Sequence, residues 1–546
     1  MKRIIFCLFV LFVSVQIMAV PAKRGQWKTI VLTDGSEVKV ELVGDEFYNY
    51  WQAEDGRKFS FNSETNTYEI ADTLMLKSNA QKKRAKLQQN RSRRANKIKS
   101  NSSQNDFYIG TKKGLIILAQ FSDLQFQESN NQELYNQIAN ELNFTSSLGF
   151  IGSVKDYFMA QSEGQFEFDF DVVGPVTLSN GYSYYGANDR YGNDLRPGEM
   201  VKEACQAIAD TIDFSDYDWD GDGEVEQVFI LYAGHGENDG SGSNYIWPHQ
   251  WTVYDATGSM FSINDIIIDT YACSNELNYI GNVDGIGTIC HEFSHCFGLP
   301  DVYATAGYGY GMDCWDLLDY GNYNGDSFIP AGYTAYEKMF CGWREPIVLS
   351  NDTIVEDMAS MSDWGDTYII YNDGNKNEYY LLENRQQTGW DAEVPGSGLL
   401  ITHIDYDESA WFENTVNAVS SHQRYTPIQA DQSVSLRNTA AGDVYPYNEN
   451  DSLTNNSVPA ASLYNANTDG TYYMNKPITN ISQSEDGLIS FTFANNNTAT
   501  GISNVVVDAD EVSDKRVFSI DGRYLGNDID ALKNGIYIVG KKIVVK

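Results

Sequence analysis

The stretch His291-Glu292-Phe293-Ser294-His295-Cys296-Phe297-Gly298-Leu299-Pro300-Asp301 carries the densest chemical signal in this chain. On a helix, residues four apart lie on one face a turn apart, so His291 and His295 can offer two imidazole nitrogens to one zinc ion. Glu292 then points beside that metal, where a carboxylate can take a proton from zinc-bound water and pass it to a leaving amine. Gly298 tolerates the positive φ that ends a helix and turns the chain back, and Pro300 forbids continuation. Asp301 can then arrive as a third ligand. A bare HExxH also occurs on polar helix faces, but the extended HExxHxxGxxD is far more specific. Of the six His in the chain, two fall in this motif.

Outward from the motif, the segment from 106 to 345 alternates strand and helix signals. Gly114 to Phe121 is an apolar run of buried-strand type, Val225 to Tyr232 and Asp265 to Thr270 read as further strands, and Gly285 to Phe297 as a helix. Ser153 caps a helix running to Ala160, and Glu199 to Ala209 has helical periodicity. An α/β domain with a mixed twisted sheet is expected, flanked by β-rich segments. Before it, 20–105 opens with short alternating strands turned at Asp34-Gly35 and Asp55-Gly56 and ends in the basic run Lys82 to Arg94. After it, runs such as Tyr379 to Glu383, Gly398 to Ile404 and Gly487 to Phe493 predict a β-sandwich-like region over 346–497. A last module covers 500–546.

The motif resembles the metzincin clan. Further strings narrow the resemblance to secreted bacterial metallopeptidases of the immune-inhibitor-A type: Ser153-Val-Lys-Asp-Tyr-Phe158, Asp218-x-Asp220-x-Asp222-Gly223, Ile246-Trp-Pro-His249 and Trp315-Asp-Leu-Leu-Asp-Tyr-Gly-Asn322. The resemblance implies zinc ligands His291, His295 and Asp301, with Glu292 as general base. It also implies a Met-bearing turn below the metal. Here Leu318 stands at that position, a similar-volume apolar substitute. Tyr320 matches a Tyr whose hydroxyl approaches the metal or the oxyanion in some metzincins; a packed aromatic is the plainer reading.

Asp218-Trp-Asp220-Gly-Asp222-Gly223 matches the start of a calcium loop, with Glu226 standing in for the missing Glu at the twelfth position, which is Phe229. A simple Asp-Gly turn is the alternative. His249, His403 and His422 read as structural, and His235 as a loop residue with a better chance of lining the cleft.

Lys2-Arg3, the apolar run Ile4 to Val15 and the ending Met18-Ala19 read as a signal peptide over 1–19, too short for a membrane span. The basic run near Arg84 to Arg94 then suits a cut that separates an inhibitory pro-segment from the enzyme. Six Cys remain in the exported chain, a number that permits disulfides or buried thiols without deciding between them. The ending Val517 to Arg523 and Gly535-Ile-Tyr-Ile-Val539 resembles the carboxy-terminal sorting domain of type IX secretion cargo, which implies release beyond an outer membrane or attachment to its surface. With 38 basic against 75 acidic residues the net charge is −37, which repels phosphate backbones and argues against nucleic-acid partners. The expectation is a secreted zinc endopeptidase made as a precursor and acting on proteins. A surface binding protein on an inactive scaffold is the alternative, favoured by Leu318 alone; a zinc hydrolase of small amides or esters is a third.

Overall fold

The computed structural model describes residues 20–62, 65–80, 107–189, 192–305, 309–433 and 439–496, and short stretches from Val517 to Val545. The signal peptide over 1–19 and the basic run Lys82 to Arg94 lie outside the described residues. Residues up to Asn496 gather into one compact unit and 497–546 into a second.

The N-terminal part is a five-stranded meander in chain order: Trp27–Val31, Glu37–Gly44, Asn49–Ala53, Lys58–Asn62 and Thr67–Ile70, all neighbours antiparallel. The turns at Gly35 and Gly56 have φ of +82° and +84°, the conformation that those Asp-Gly pairs predict.

The next sheet has the order Phe166–Thr177, Gly110–Gln120, Val228–His235, Thr270–Leu277, His249–Thr252. Its first four strands run parallel and His249–Thr252 closes the edge antiparallel. Side chains alternate between two cores, as a strand demands. Ile116, Leu118, Phe229 and Ala272 face a layer that contains helices Val154–Gln161 and Gly287–Ser294. Leu115, Ile117, Ile230 and Cys273 face helix Pro197–Ile208. Ser153 caps its helix by a full capping box with Asp156.

The strand expected over Asp265 to Thr270 is displaced. Ile266–Ile267 forms half of a small hairpin with Ser262–Ile263, and the sheet strand is Thr270–Leu277. That strand is buried throughout, although Ser274, Asn275 and Glu276 make its sequence look polar. Glu276 is spent on ties to Gln127 N–H, Asn130 and Gly234 N–H, which explains how it can lie inside.

Beyond Trp343 two sheets face each other. One has the order Ile347–Val348, Tyr368–Tyr371, Glu378–Arg385, Gly398–Asp405, Tyr425–Pro427; the other joins Thr353–Met358, Ile489–Phe493 and Ile478–Gln483. Ile370, Tyr380, Leu382, Leu399 and Ile401 pack against Ile478, Ile489 and Phe491 between the sheets. The opposite face, with Ile369, Tyr379, Leu381, Leu400 and Ile404, belongs to the core that also holds Ile289 and Phe293 of helix Gly287–Ser294. The β region is thus not a separate body: one of its sheets is buried on both faces, and its second layer is the peptidase-like region itself.

In the second unit the strand order is Tyr524–Gly526, Val517–Ser519, Ile536–Val539, Lys542–Val545, with antiparallel neighbours. No disulfide joins the described cysteines, and Cys205, Cys273, Cys290 and Cys341 are buried.

Candidate metal centre and the segment that covers it

The helix predicted from 285 to 297 is α-helical over Gly287–Ser294 and tightens to a 3-10 turn at His295–Phe297. Gly287 lets it approach its neighbour: a Cβ there would lie 1.8 Å from Asn322 O. Gly298 adopts φ +87° with nothing nearer to a Cβ than Phe340 Cζ at 3.8 Å, so backbone conformation rather than space requires glycine. The chain turns there and brings Asp301 back.

His291, His295 and Asp301 converge. Asp301 Oδ1 lies 3.2 Å from His291 Nε2 and 3.6 Å from His295 Nε2, with all three side chains buried. The far side of each ring is fixed by a carbonyl: His291 Nδ1 donates to Leu317 O and His295 Nδ1 to Leu299 O, each at 2.9 Å. A carbonyl can only accept, so the proton of each neutral ring sits on Nδ1 and the Nε2 lone pair faces the cluster. Among the described residues, His291 Nε2 and Asp301 Oδ1 are buried without a hydrogen-bond partner. Two imidazole nitrogens and a carboxylate oxygen that converge in this way are a donor set of the kind that can hold a metal ion.

Asp301 is held from a distance that the motif does not reveal. Asn414, 113 residues on, accepts from Asp301 N–H and donates to Asp301 Oδ2, both at 2.6 Å. Asn417 donates to Val302 O and Tyr425 O at 2.6 Å. The β region therefore supplies the clamp on the third candidate ligand. The Trp315–Asn322 segment supplies the rest: Leu317 O orients His291, Leu318 O accepts Val302 N–H at 3.0 Å, and the Leu318 side chain is 1% exposed in the main core. Asp316 Oδ1 accepts Leu318 N–H at 2.8 Å and pins the turn.

Glu292 is wholly buried. Burial pushes its carboxyl well above the usual carboxylate range, repulsion from Asp301 adds to this, and the Val20 backbone N–H draws it partly back. Burial also raises Asp301, against the opposing pull of His291 and Asn414.

Val20 belongs to a segment that sequence reasoning did not place here. Residues 20–24 cross the centre tied by main-chain bonds: Trp247 Nε1 donates to Val20 O at 3.0 Å, Tyr323 Oη to Pro21 O at 2.6 Å, and Lys23 N–H to Asn238 O at 2.8 Å. Arg24 Nη1 donates to Asp313 Oδ1 at 2.7 Å. The Tyr320 ring, expected near the metal or the oxyanion, lies under the Arg24 guanidinium, 3.2 Å from its carbon. The sequence signal that could have found this segment is weak, since Val-Pro-Ala-Lys-Arg is short and has no periodicity.

Asp218, Asp220 and Asp222 also come together, half-buried. Their oxygens already accept backbone N–H groups: Asp218 from Gly221, Asp222 and Gly223, Asp220 from Asp222, and Asp222 from Glu224. Glu226 is not brought into that trio; its Oε2 accepts Trp219 N–H at 2.7 Å from inside the loop. His249 bonds Trp247 O and Tyr271, His403 bonds Glu378 and His422 bonds Asp405, in keeping with structural roles. His235 faces Asp239 at 3.7 Å.

A buried bed of two imidazoles and two carboxylates on an α/β frame is the kind of site that a metallopeptidase hydrolase uses. Residues 101–344 match the model of the immune inhibitor A peptidase M6, catalytic domain, which supports that class. Over 275 residues the chain is 26% identical to Immune inhibitor A of Bacillus thuringiensis subsp. alesti, a stretch that makes up 42% of this chain and 40% of that protein. The chain thus spans about 40% of the length of this relative. No described helix is long and apolar enough to cross a membrane.

Proposed function

We propose that the chain is a secreted zinc endopeptidase of metzincin-like design, made as a latent precursor and acting on proteins. The observation that carries this is the convergence of His291 Nε2, His295 Nε2 and Asp301 Oδ1, all buried, beside a buried Glu292. Those three residues hold the zinc. When bound, it polarises the scissile carbonyl and acidifies the attacking water. Glu292 accepts the proton of that water and hands it to the leaving amine. Leu317 O and Leu299 O keep both imidazoles in the tautomer that leaves Nε2 free for a metal. Leu318 fills the place of a Met as packed hydrocarbon, so turnover is compatible with the substitution.

Latency rests on residues 20–24, which occupy the cleft through main-chain bonds of the kind that an extended substrate makes. Cutting near Arg84 to Arg94 frees the N-terminal part to leave. The trio Asp218, Asp220 and Asp222 holds a structural calcium ion, with Glu226 supporting its loop. The separate unit from 497 to 546 is the sorting domain read by type IX secretion machinery, and the protein is released or stays on the outer surface.

Metal analysis and a casein digest, each with the activated wild type and Glu292→Ala, test the mechanism. One zinc per chain in both proteins is expected, with digestion abolished in the variant and in chelator-treated wild type. Equal digestion by the two zinc-loaded proteins rules the mechanism out.

A further inference from the structure

The contact made by Arg24 is built more like a binding pocket than a surface tether. The Asp313 side chain is fully buried, while that of Arg24 is 21% exposed. The Tyr320 ring forms the pocket floor, its centroid 3.2 Å from the guanidinium carbon, which is stacking as well as charge pairing. Asp319 fixes both walls: Oδ2 accepts Met312 N–H and Asp313 N–H at 2.8 Å, and Oδ1 accepts Tyr320 N–H at 2.9 Å. Asp313 is held at φ +49°, a left-handed conformation that is strained for a non-glycine residue. Its Oδ1 also receives the Cys314 thiol at 3.2 Å, and its Oδ2 is buried with no hydrogen-bond partner. Burial pushes the Asp313 carboxyl up, and Arg24 is the first group that draws it back.

The Asp319 bonds to Met312, Asp313 and Tyr320 involve none of residues 20–24, and the Asp313 carboxylate that they position is costly to keep buried without a cation. Resting on the endopeptidase and latency readings above, we infer that once residues 20–24 leave the cleft, Asp313, Asp319 and Tyr320 form a subsite for a basic substrate side chain, arginine above lysine, at one fixed position relative to the scissile bond. Arginine is favoured because its planar guanidinium can stack on Tyr320 while donating to Asp313, whereas an ammonium is a point charge. A cavity of about 550 Å³ adjoins Arg24 and is walled on the enzyme side by Tyr303, Thr305, Tyr310 and Tyr320, which leaves room for the neighbouring substrate residues. Asn238 O and the Tyr323 hydroxyl, which now grip Lys23 and Pro21, are free to hold an extended backbone in register.

The test uses the zinc-loaded Glu292→Ala chain, activated and separated from its N-terminal fragment. It is titrated with a labelled peptide copying residues 20–26 and with the same peptide carrying norleucine in place of Arg24. The arginine peptide is expected to bind about 100-fold more tightly, as at sites built to pair a charged group. Asp313→Asn in the same background should erase most of that ratio. Active wild type given denatured casein should place Arg or Lys at one position relative to its cuts, read by mass spectrometry. Equal binding of the two peptides to the chain with Asp313 intact overturns the inference, and needs no substitution in the pocket itself. Cleavage without basic preference together with equal binding leaves the endopeptidase reading standing and removes the pocket. Selective binding without cleavage by zinc-loaded wild type supports the pocket and removes the endopeptidase reading.

Discussion

Among the described residues two groups of side chains could hold a metal ion, and the two are finished in opposite ways. At His291, His295 and Asp301 the hydrogen bonds are spent on the outward atoms, both Nδ1 positions and Asp301 Oδ2, while His291 Nε2 and Asp301 Oδ1 are buried and bare. At Asp218, Asp220 and Asp222 the carboxylates are half-exposed and already take five backbone N–H bonds. The first cluster calls for an ion, because buried donor atoms without partners cost free energy that a metal recovers. The second can close its own loop, and an ion there adds to a structure that stands without it.

The comparison breaks most visibly at the first cluster. His295→Ala should lose zinc altogether under conditions where the wild type keeps one per chain, measured by elemental analysis after desalting. The loss should exceed the about 10–100-fold that follows removal of an outer-shell partner. Retention of a full equivalent of zinc with unchanged affinity would mean that the cluster is not the metal site.

Asn414→Ala comes next. It leaves every candidate ligand in place but removes both bonds that hold Asp301, so zinc affinity in competition with a chelator should fall by about 10–100-fold. Asn417→Ala is the control: it strips three hydrogen bonds, one to Val302 in the same loop and two to Tyr425, without touching a ligand side chain. Both variants should lower Tm, but Asn414→Ala alone should weaken zinc markedly. A similar loss of affinity in both would reduce Asn414 to a packing residue.

Those two asparagines mark where the sequence stopped being legible. The helix, its Gly298 turn and the approach of Asp301 could be read because helical geometry and glycine's freedom act within a dozen residues. The strand Gly110–Gln120 announced itself as an apolar run, and Glu378–Arg385 and Gly398–Asp405 as alternating ones. Thr270–Leu277 did not, since Ser274, Asn275 and Glu276 read as polar, and the buried Glu276 is satisfied by partners far away in sequence. The double burial of the Glu378–Arg385 sheet was hidden for a related reason: a run read as alternating predicts one covered face, and the second is covered only by packing on the α/β core. Neither Asn414 nor the seating of residues 20–24 has a local pattern, because their roles exist only once the β region and the N-terminal meander have packed on the peptidase-like core.

The second cluster offers the smallest and most discriminating effect. Its carboxylates are partly exposed and lack the bidentate Glu of a full calcium loop, so affinity should fall in the weak range of about 0.1–1 mM. At a free calcium concentration of about 1 mM, linkage then gives about 0.4–1.4 kcal/mol of stabilisation. For a cooperative unit of this size that corresponds to a rise in Tm of only about 1 °C, from an unfolding entropy of about 2 cal/mol/K per residue. Asp220→Asn should abolish the calcium-dependent rise while leaving the Tm in calcium-free buffer close to that of the wild type, since Asn Oδ1 can still accept Asp222 N–H. A calcium-dependent shift of ten degrees or more would show that the backbone bonds do not close this loop unaided, and the contrast between the two clusters would be lost.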